Sequence, residues 1–439
     1  MSIAKILYQS IVWKSLLYLA TFILNILIAR HFEAAVSGNI YYIIKLFSFV
    51  HLVTSLSMES GIIYFGATSA ISPAKLFNFS ILWTLVAGVL LWLAMSLFIK
   101  TSSPFTTLAQ LKIFGLLFIC GNLLYNYSSY LFYAQKNFLI PNIISLCFTV
   151  LLIIALPGNG WSVFTKINDA NYFYLYFLFF TVQGVVTALA FYVLKLKKVN
   201  FSRPSKLDLK KLFRYSLLAW LCNIIFFLLY RIDYWFVEKY CSTEALGNYI
   251  QVSKLGQAFF LLPSMIATAI LPLAVTENKE TMARWLALIS RFFLYSYAFI
   301  CLIIILIGKW LFPVIFGESF TAMYPAFIWL TPGILSLSTL FTLTAYNAGK
   351  NKLKDNMLGC LYALILVIAG NWLFVPVYGI NAAAAVSSIG YIVYHVYLLI
   401  DFKKENSSGI LQFFVFKWED ITALKKLLTL SKSKHGINQ

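Results

Sequence analysis

The chain reads as a succession of apolar runs separated by short polar connections. A helix rising 1.5 Å per residue needs about 20 apolar residues to cross the roughly 30 Å hydrocarbon core of a bilayer. Runs of that length lie at about Ile11–Ala29, Gly38–Ser57, Phe79–Ile99, Ile113–Tyr133, Ile140–Leu156 and Tyr172–Leu194. A polar, basic interval, KLKKVNFSRPSKLDLKKLFR, follows from Lys195 to Arg214. Further runs lie at about Leu212–Phe236, Tyr249–Ala274, Trp285–Ile307, Tyr324–Tyr346, Asn356–Val375 and Ile380–Ile400. The pattern predicts an all-α integral membrane protein of about 12 transmembrane helices. It divides into an N-terminal lobe over 1–194, a basic linker over 195–212, a C-terminal lobe over 213–400 and a tail over 401–439. Pro141, Pro263, Pro272, Pro313, Pro325 and Pro332 stand near the expected helix ends and predict kinks or early stops.

Composition supports this reading: 61% of the 439 residues are hydrophobic and 11% are charged, which excludes a water-soluble domain. The formal net charge of +19 invites nucleic acid as a partner, but the bases sit in short connections between apolar runs. With a cytoplasmic N-terminus, Lys75, Lys136, the Lys195–Arg214 interval, Lys279, Arg284, Lys350, Lys352, Lys354 and the tail all fall inside. Only Arg30, Lys100, Lys112, Lys166, Lys239 and Lys309 fall outside. The positive-inside bias therefore predicts both termini in the cytoplasm and anionic lipid headgroups, not nucleic acid, as the partner of the excess charge. The first run lacks a small-residue cleavage site and is too long for a signal peptide, so it reads as an uncleaved helix. The tail GILQFFVFKWEDITALKKLLTLSKSK mixes aromatics, leucines and lysines as an interfacial amphipathic helix does. Six scattered cysteines and four dispersed histidines give no disulfide framework, no metal site and no cofactor motif.

An internal repeat singles out particular residues. The second run begins GNIYYIIKL at Gly38 and the eighth begins GNYIQVSKL at Gly247, both reading G-N-x5-K-L. The register extends without a gap to Arg30 and Lys239 before them, which favours duplication of a six-helix unit. An even number of helices per unit gives repeats of like orientation related by an axis along the membrane normal, with substrate held at the repeat interface. Lys45 and Lys254 are thereby expected at matched depth, about 10 Å into their helices. A lysine at that depth needs a wet cavity, an acidic partner or snorkelling to the headgroups. Tyr41, Ser48 and Glu59 share the Lys45 face, while Gln251 and Gln257 flank Lys254. Arg231 and Asp233, two residues apart on the seventh helix, point to nearly opposite sides, so either one faces a cavity while the other caps the outer rim, or both are charges solvated at the rim. Glu59 reads as solvated near an inner end and His51 as a packing residue.

The segment YRIDYWFVEKYCSTEALGNYIQVSKLGQAFFLLPSMIATAILPLAV, then FPVIFGESF, the Pro332-Gly333 pair read as a helix start, AYNAGKNK and VPVYGINAAAAVSSIGY resemble the polysaccharide flippases of the MOP superfamily, the Wzx type. LIARHFEAAVSGNIYYIIKLFSF with MESGIIYFGA resembles the first two helices of that family, so the likeness runs to about Asp401. It implies two six-helix lobes forming a V around a central cavity, often cationic, and export of isoprenoid (undecaprenyl) pyrophosphate-linked oligosaccharide across a bacterial inner membrane, beside other polysaccharide-assembly proteins. The positions here that match a cationic or polar lining are Lys45, Lys254, Arg231, Gln251, Tyr41 and Asp233. Glu33-Ala34-Ala35 stands where the family usually has a glycine or proline, which leaves the conformation of that connection open. Two rival readings are a multidrug exporter of the same superfamily, which would rely on buried carboxylates, and a membrane glycosyltransferase or polymerase, which would need a larger outer loop and acidic catalytic groups. No nucleotide-binding motif indicates an energy source.

Overall fold

The computed structural model describes residues 3–98, 108–157, 169–196, 204–276, 278–350, 352–405 and 409–416. The expectations for the loops of Lys100 and Lys166, for linker residues 197–203 and for the tail from 417 onward lie outside these residues. Among the described residues the secondary structure is helical: α1 Ile3–Ser55, α2 Met58–Ala67, α3 Pro73–Phe98, α4 Leu108–Ala134, α5 Leu139–Ala155, α6 Asp169–Phe191, α7 Lys206–Tyr240, α8 Thr243–Ala258, α9 Leu261–Thr276, α10 Lys279–Phe316, α11 Met323–Gly349 and α12 Leu353–Glu405. One turn of π-helix, Tyr192–Leu196, continues α6, and short 3-10 turns lie at Glu318–Phe320 and Ile410–Phe413.

The helices correspond to the expected spans, but their ends are drawn differently. Val12–Ser55 and Leu353–Lys404 are apolar stretches of 44 and 52 residues, each enough for two crossings. Each is interrupted by a single residue, Glu33 (φ 58°, ψ 179°) in α1 and Gly379 (φ 59°, ψ −143°) in α12. Glycine suits such a backbone, whereas glutamate is strained in it. The connection at Glu33-Ala34-Ala35, left open by the sequence, is thus formed by a glutamate in a glycine-like conformation. It is held by Ser37 Oγ donating to its carbonyl (2.5 Å) and by Ser319 Oγ accepting from Ala34 N (3.0 Å). Under the repeat register Glu33 corresponds to Ser242, which separates α7 from α8 and caps α8 by accepting from Ala245 N (3.1 Å). The repeat therefore includes the chain break as well as the motif behind it.

The second span is α1 beyond Glu33 followed by α2, with Leu56 and Ser57 between them, both left-handed at φ 47° and 48°. The eighth span is α8 followed by α9, separated at Phe259–Phe260. Pro263 accounts for that separation, because its ring would collide with the carbonyl four residues earlier in a continuous helix. Other prolines do not stop helices: Pro313, Pro332 and Pro376 lie inside α10, α11 and α12. The expectation that Pro332-Gly333 opens a helix is thus corrected, since α11 begins at Met323. Gly333 has a different use: a Cβ there would sit 2.8 Å from Ser388 Cα, and Gly333 N donates to Ser388 Oγ (3.2 Å). Close helix approach at small residues is the usual packing device within a bilayer.

The chain forms two compact units, Met1–Phe227 with Ile315–Phe320, and Leu228–Val314 with Thr321–Gln439. The division runs through α7. Within the first unit, α4 and α6 meet at Gly121 and Gly184, where a Cβ on either would fall 2.4 Å from the opposite backbone. Thr181 Oγ1 adds a bond to Leu117 O (2.8 Å) across the same contact. The first half of α7 completes this unit through stacking of Tyr215 on Tyr64 and a Lys75–Asp208 ion pair (3.0 Å). Within the second unit, α11 and α12 pack at Gly333, and Lys352 pairs with Asp401 (3.1 Å). Trp285 and Trp310, both exposed on α10, stand about 37 Å apart at 1.5 Å per residue, as side chains anchored in the two interfaces of a bilayer would.

Of the tail, residues 409–416 are described. Phe413 is buried, edge-on to Phe402, and the backbone of Gln412 and Phe414 accepts hydrogen bonds from Arg291 and Tyr295 of α10. Residues 409–416 therefore pack against α10 and α12 while Leu411, Val415 and Phe416 stay exposed, and the rest of the expected amphipathic tail lies outside the described residues.

Candidate functional site

In the second unit the charged residues of α7 organise a polar cluster. Arg231 and Asp233 turn to different partners, as two positions 200° apart on a helix require. Arg231 donates to Tyr234 Oη (2.9 Å), to the Tyr230 carbonyl (3.2 Å) and to Gln257 Oε1, with its guanidinium 5.3 Å from the Tyr234 ring centre. Tyr234 Oη in turn donates to Ser253 Oγ (2.8 Å), which also accepts from Gln257 Nε2 (3.2 Å). Ser253 and Gln257 are one helical turn apart on α8, so Arg231 and Tyr234 of α7 meet one polar strip of α8.

Asp233 is not at a rim. Only 1% of it is exposed, and its carboxylate accepts from Tyr249 Oη (2.5 Å), Ser387 Oγ (2.9 Å) and its neighbour Tyr234 N (2.9 Å). Three donors from α7, α8 and α12 satisfy a carboxylate that would be prohibitively costly to bury bare. Sequence reasoning missed Tyr249 and Ser387. Tyr249 directly follows the G-N of the repeat and lies sixteen positions from Asp233, a separation no local spacing rule connects.

Lys254 is the twelfth residue of α8, and Lys45 is the twelfth residue after the break at Glu33. Each lies about 16 Å along its own helix from the break that starts it, instead of the roughly 10 Å expected from the sequence. Both are half-buried. Tyr41 and Gln251, one turn or less before them, are buried inside their own units, with Tyr41 Oη 3.4 Å from Asn25 O. Gln251 Nε2 is buried without a hydrogen-bonding partner.

The first unit carries its own feature at the Leu56–Ser57 break. Unwinding a helix in the bilayer frees carbonyls that lipid cannot satisfy. Here Trp220 Nε1 donates to Leu52 O (3.2 Å), Trp83 Nε1 to Thr54 O (2.9 Å) and Tyr127 Oη to Ser55 O (2.9 Å), while Asn223 Nδ2 donates to Ser57 Oγ (3.0 Å). Glu59 follows in the first turn of α2, where the helix dipole favours a negative charge. Its expected solvation is corrected, because Glu59 Oε2 is buried without a hydrogen-bonding partner. The helical-wheel grouping of Glu59 with Lys45 fails for the same reason, since the break resets the helix phase between them. His51 Nε2 lies 3.1 Å from Asn126 Nδ2, a cross-helix contact to α4.

No protein-family model and no curated protein sequence matches the chain. Solved structures do. The chain superposes on the lipid II flippase MurJ in an inward closed conformation with a TM-score of 0.68, at 16% identity, over 98% of this chain and 93% of that one. A Vibrio cholerae MATE transporter, VcmN in its bent form, matches with a TM-score of 0.60 at 14% identity over 93% and 99% of the two chains. A MOP superfamily transporter from Pyrococcus furiosus, described as having a binding pocket of reversed polarity, matches at 0.60 and 15% identity over 92% and 94%. The fold is shared with these membrane transporters. Identity this low establishes architecture only, and the function rests on the residues.

Proposed function

We propose that this chain is a flippase that carries an isoprenoid (undecaprenyl) pyrophosphate-linked oligosaccharide from the cytoplasmic to the periplasmic leaflet of a bacterial inner membrane, and that it is a transporter, not an enzyme. The observation that carries the proposal is the pair Lys45 and Lys254, each the twelfth residue behind an equivalent chain break. A diphosphate leaving water requires replacement donors of positive charge, and one ammonium from each repeat supplies them as point charges. Arg231, bonded to Gln257 three residues beyond Lys254 on α8, is a third cation of the second unit. The orientation follows from the charge bias, with Lys75 and Lys352 at cytoplasmic helix ends and both termini inside. Alternating access then moves the bound headgroup while its isoprenoid chain stays in lipid.

A second reading, a multidrug exporter, is favoured by one observation: a carboxylate, Asp233, is buried at membrane depth. Its three donors weigh against it, because a carboxylate already satisfied by Tyr249, Ser387 and Tyr234 N has little left for a drug cation.

Replacement of the lysines separates the readings. Lys45→Ala and Lys254→Ala, expressed in the native host, should reach the membrane at normal levels and lower glycan export at least tenfold, with partial activity for the arginine substitutions. Lys100→Ala serves as the silent control. Export at wild-type rates by both alanine variants would leave snorkelling as the account of the two lysines.

A further inference from the structure

The first unit holds a half-open cavity of about 250 Å³ among α1, α4, α5 and α6, with neither lysine in its lining. Leucines and aromatic rings make up most of its surface, and its polar groups come from Thr21, Asn122, Tyr125, Ser145, Thr149, Tyr176 and Gln183. Phe148, Phe179 and Phe180 supply aromatic surface between these groups, and Tyr18, half exposed, stands at the edge. Among the described residues no charged side chain lines it. The wall is rigid where it matters: Phe180 and Gln183 lie beside the Gly121–Gly184 approach that locks α6 onto α4.

This chemistry selects its occupant. A diphosphate or a drug cation would enter a site with no counter-charge and lose its hydration without replacement. Asn122, Tyr125 and Thr149 already donate to backbone carbonyls, so an acyl chain would meet the apolar lining but leave the Gln183 amide and the Asn122 amide oxygen facing hydrocarbon. A neutral sugar satisfies both kinds of surface, because its hydroxyls meet amides and phenols while its C–H faces lie on aromatic rings. The volume admits one hexose-sized ring and no more than one.

We infer that this first-unit cavity is a saccharide site that holds a single neutral sugar residue. Its assignment to a sugar of the transported glycan rests on the flippase reading; the site itself does not.

The test uses the purified full chain in lipid nanodiscs with two kinds of probe. The first is a panel of methyl glycosides of glucose, galactose, mannose, N-acetylglucosamine and N-acetylgalactosamine, followed by saturation-transfer NMR. The second is undecaprenyl pyrophosphate bearing no sugar. At least one glycoside should bind the wild-type protein. Ser145→Leu, which fills the cavity, and Gln183→Leu, which removes an amide, should each weaken that binding at least tenfold while headless lipid binds as before. Thr149→Val, nearly isosteric, should weaken it less and keeps the comparison open if a bulkier substitution prevents folding. The inference is overturned if no glycoside in the panel binds, if the filled variant binds like wild type, or if the variants lose sugar and headless lipid together. Glycoside binding without any binding of headless lipid would uphold the cavity and defeat the flippase reading.

Discussion

Glu33 shows how one residue can be the strained element of a membrane fold. Its φ of 58° and ψ of 179° place a side chain where glycine is at home, at a cost of about 1–3 kcal/mol. Glycine there relieves the strain and adds back up to about 1 kcal/mol in unfolded-state entropy. Glu33→Gly should therefore leave the protein as stable or more stable in detergent, read as an unchanged or raised thermal midpoint. A fall of several degrees would mean that the carboxylate itself has a partner of consequence. Asp233 makes the opposite case. Asp233→Ala leaves Tyr249 and Ser387 only each other, at 3.4 Å, so at least one buried donor loses its acceptor at about 1–3 kcal/mol, and a loss of stability is expected in thermal unfolding. The charge on Asp233 was legible in the sequence and its burial was not, because burial depends on α8 and α12 arriving beside it.

At the scale of the element, the interrupted second span is the clearest lesson. Its apolar run from Gly38 to Ser57 was legible as one crossing, while the left-handed pair Leu56–Ser57 was not, since neither residue favours that conformation. What holds the break is tertiary: two indoles and a phenol from α7, α3 and α4. Tyr127→Phe removes one donor from a buried carbonyl and should cost about 1 kcal/mol, whereas Tyr64→Phe, at an exposed ring, should cost almost nothing. Equal effects of the two substitutions would show that the break does not depend on its side-chain donors. Proline positions misled for a related reason. Whether Pro332 ends a helix or is tolerated inside one depends on the neighbours that take up the freed backbone groups, and those lie far off in sequence.

For the whole molecule, the twelve-helix plan was readable because bilayer thickness imposes a length on every apolar run, independent of how helices pack. The division through α7 was not readable, because the basic interval before it is a signal of topology and the packing of Tyr215 and Trp220 is what assigns the first half of that helix to the first unit. Of the candidate site, the paired lysines were visible through the repeat, and the Tyr249–Ser387 partners and the uncharged cavity were hidden in contacts between distant helices. The orientation awaits its own check. A membrane-impermeant thiol reagent on spheroplasts should label a cysteine placed at 166 and spare one placed at 206, and the reverse pattern would invert the direction of transport.

The central claim is that the chain moves a lipid diphosphate glycan and not a soluble cation, and leaflet exchange measures this directly. Purified protein in liposomes would be supplied with the lipid-linked glycan isolated from native-host cells lacking this chain, and separately with a fluorescent cationic drug. The account predicts transfer of the lipid-linked glycan to the opposite leaflet at a rate well above that of protein-free liposomes, lost in the Lys45→Ala Lys254→Ala double variant, with no drug flux. Drug flux without glycan transfer, or glycan transfer indifferent to both lysines, would contradict it.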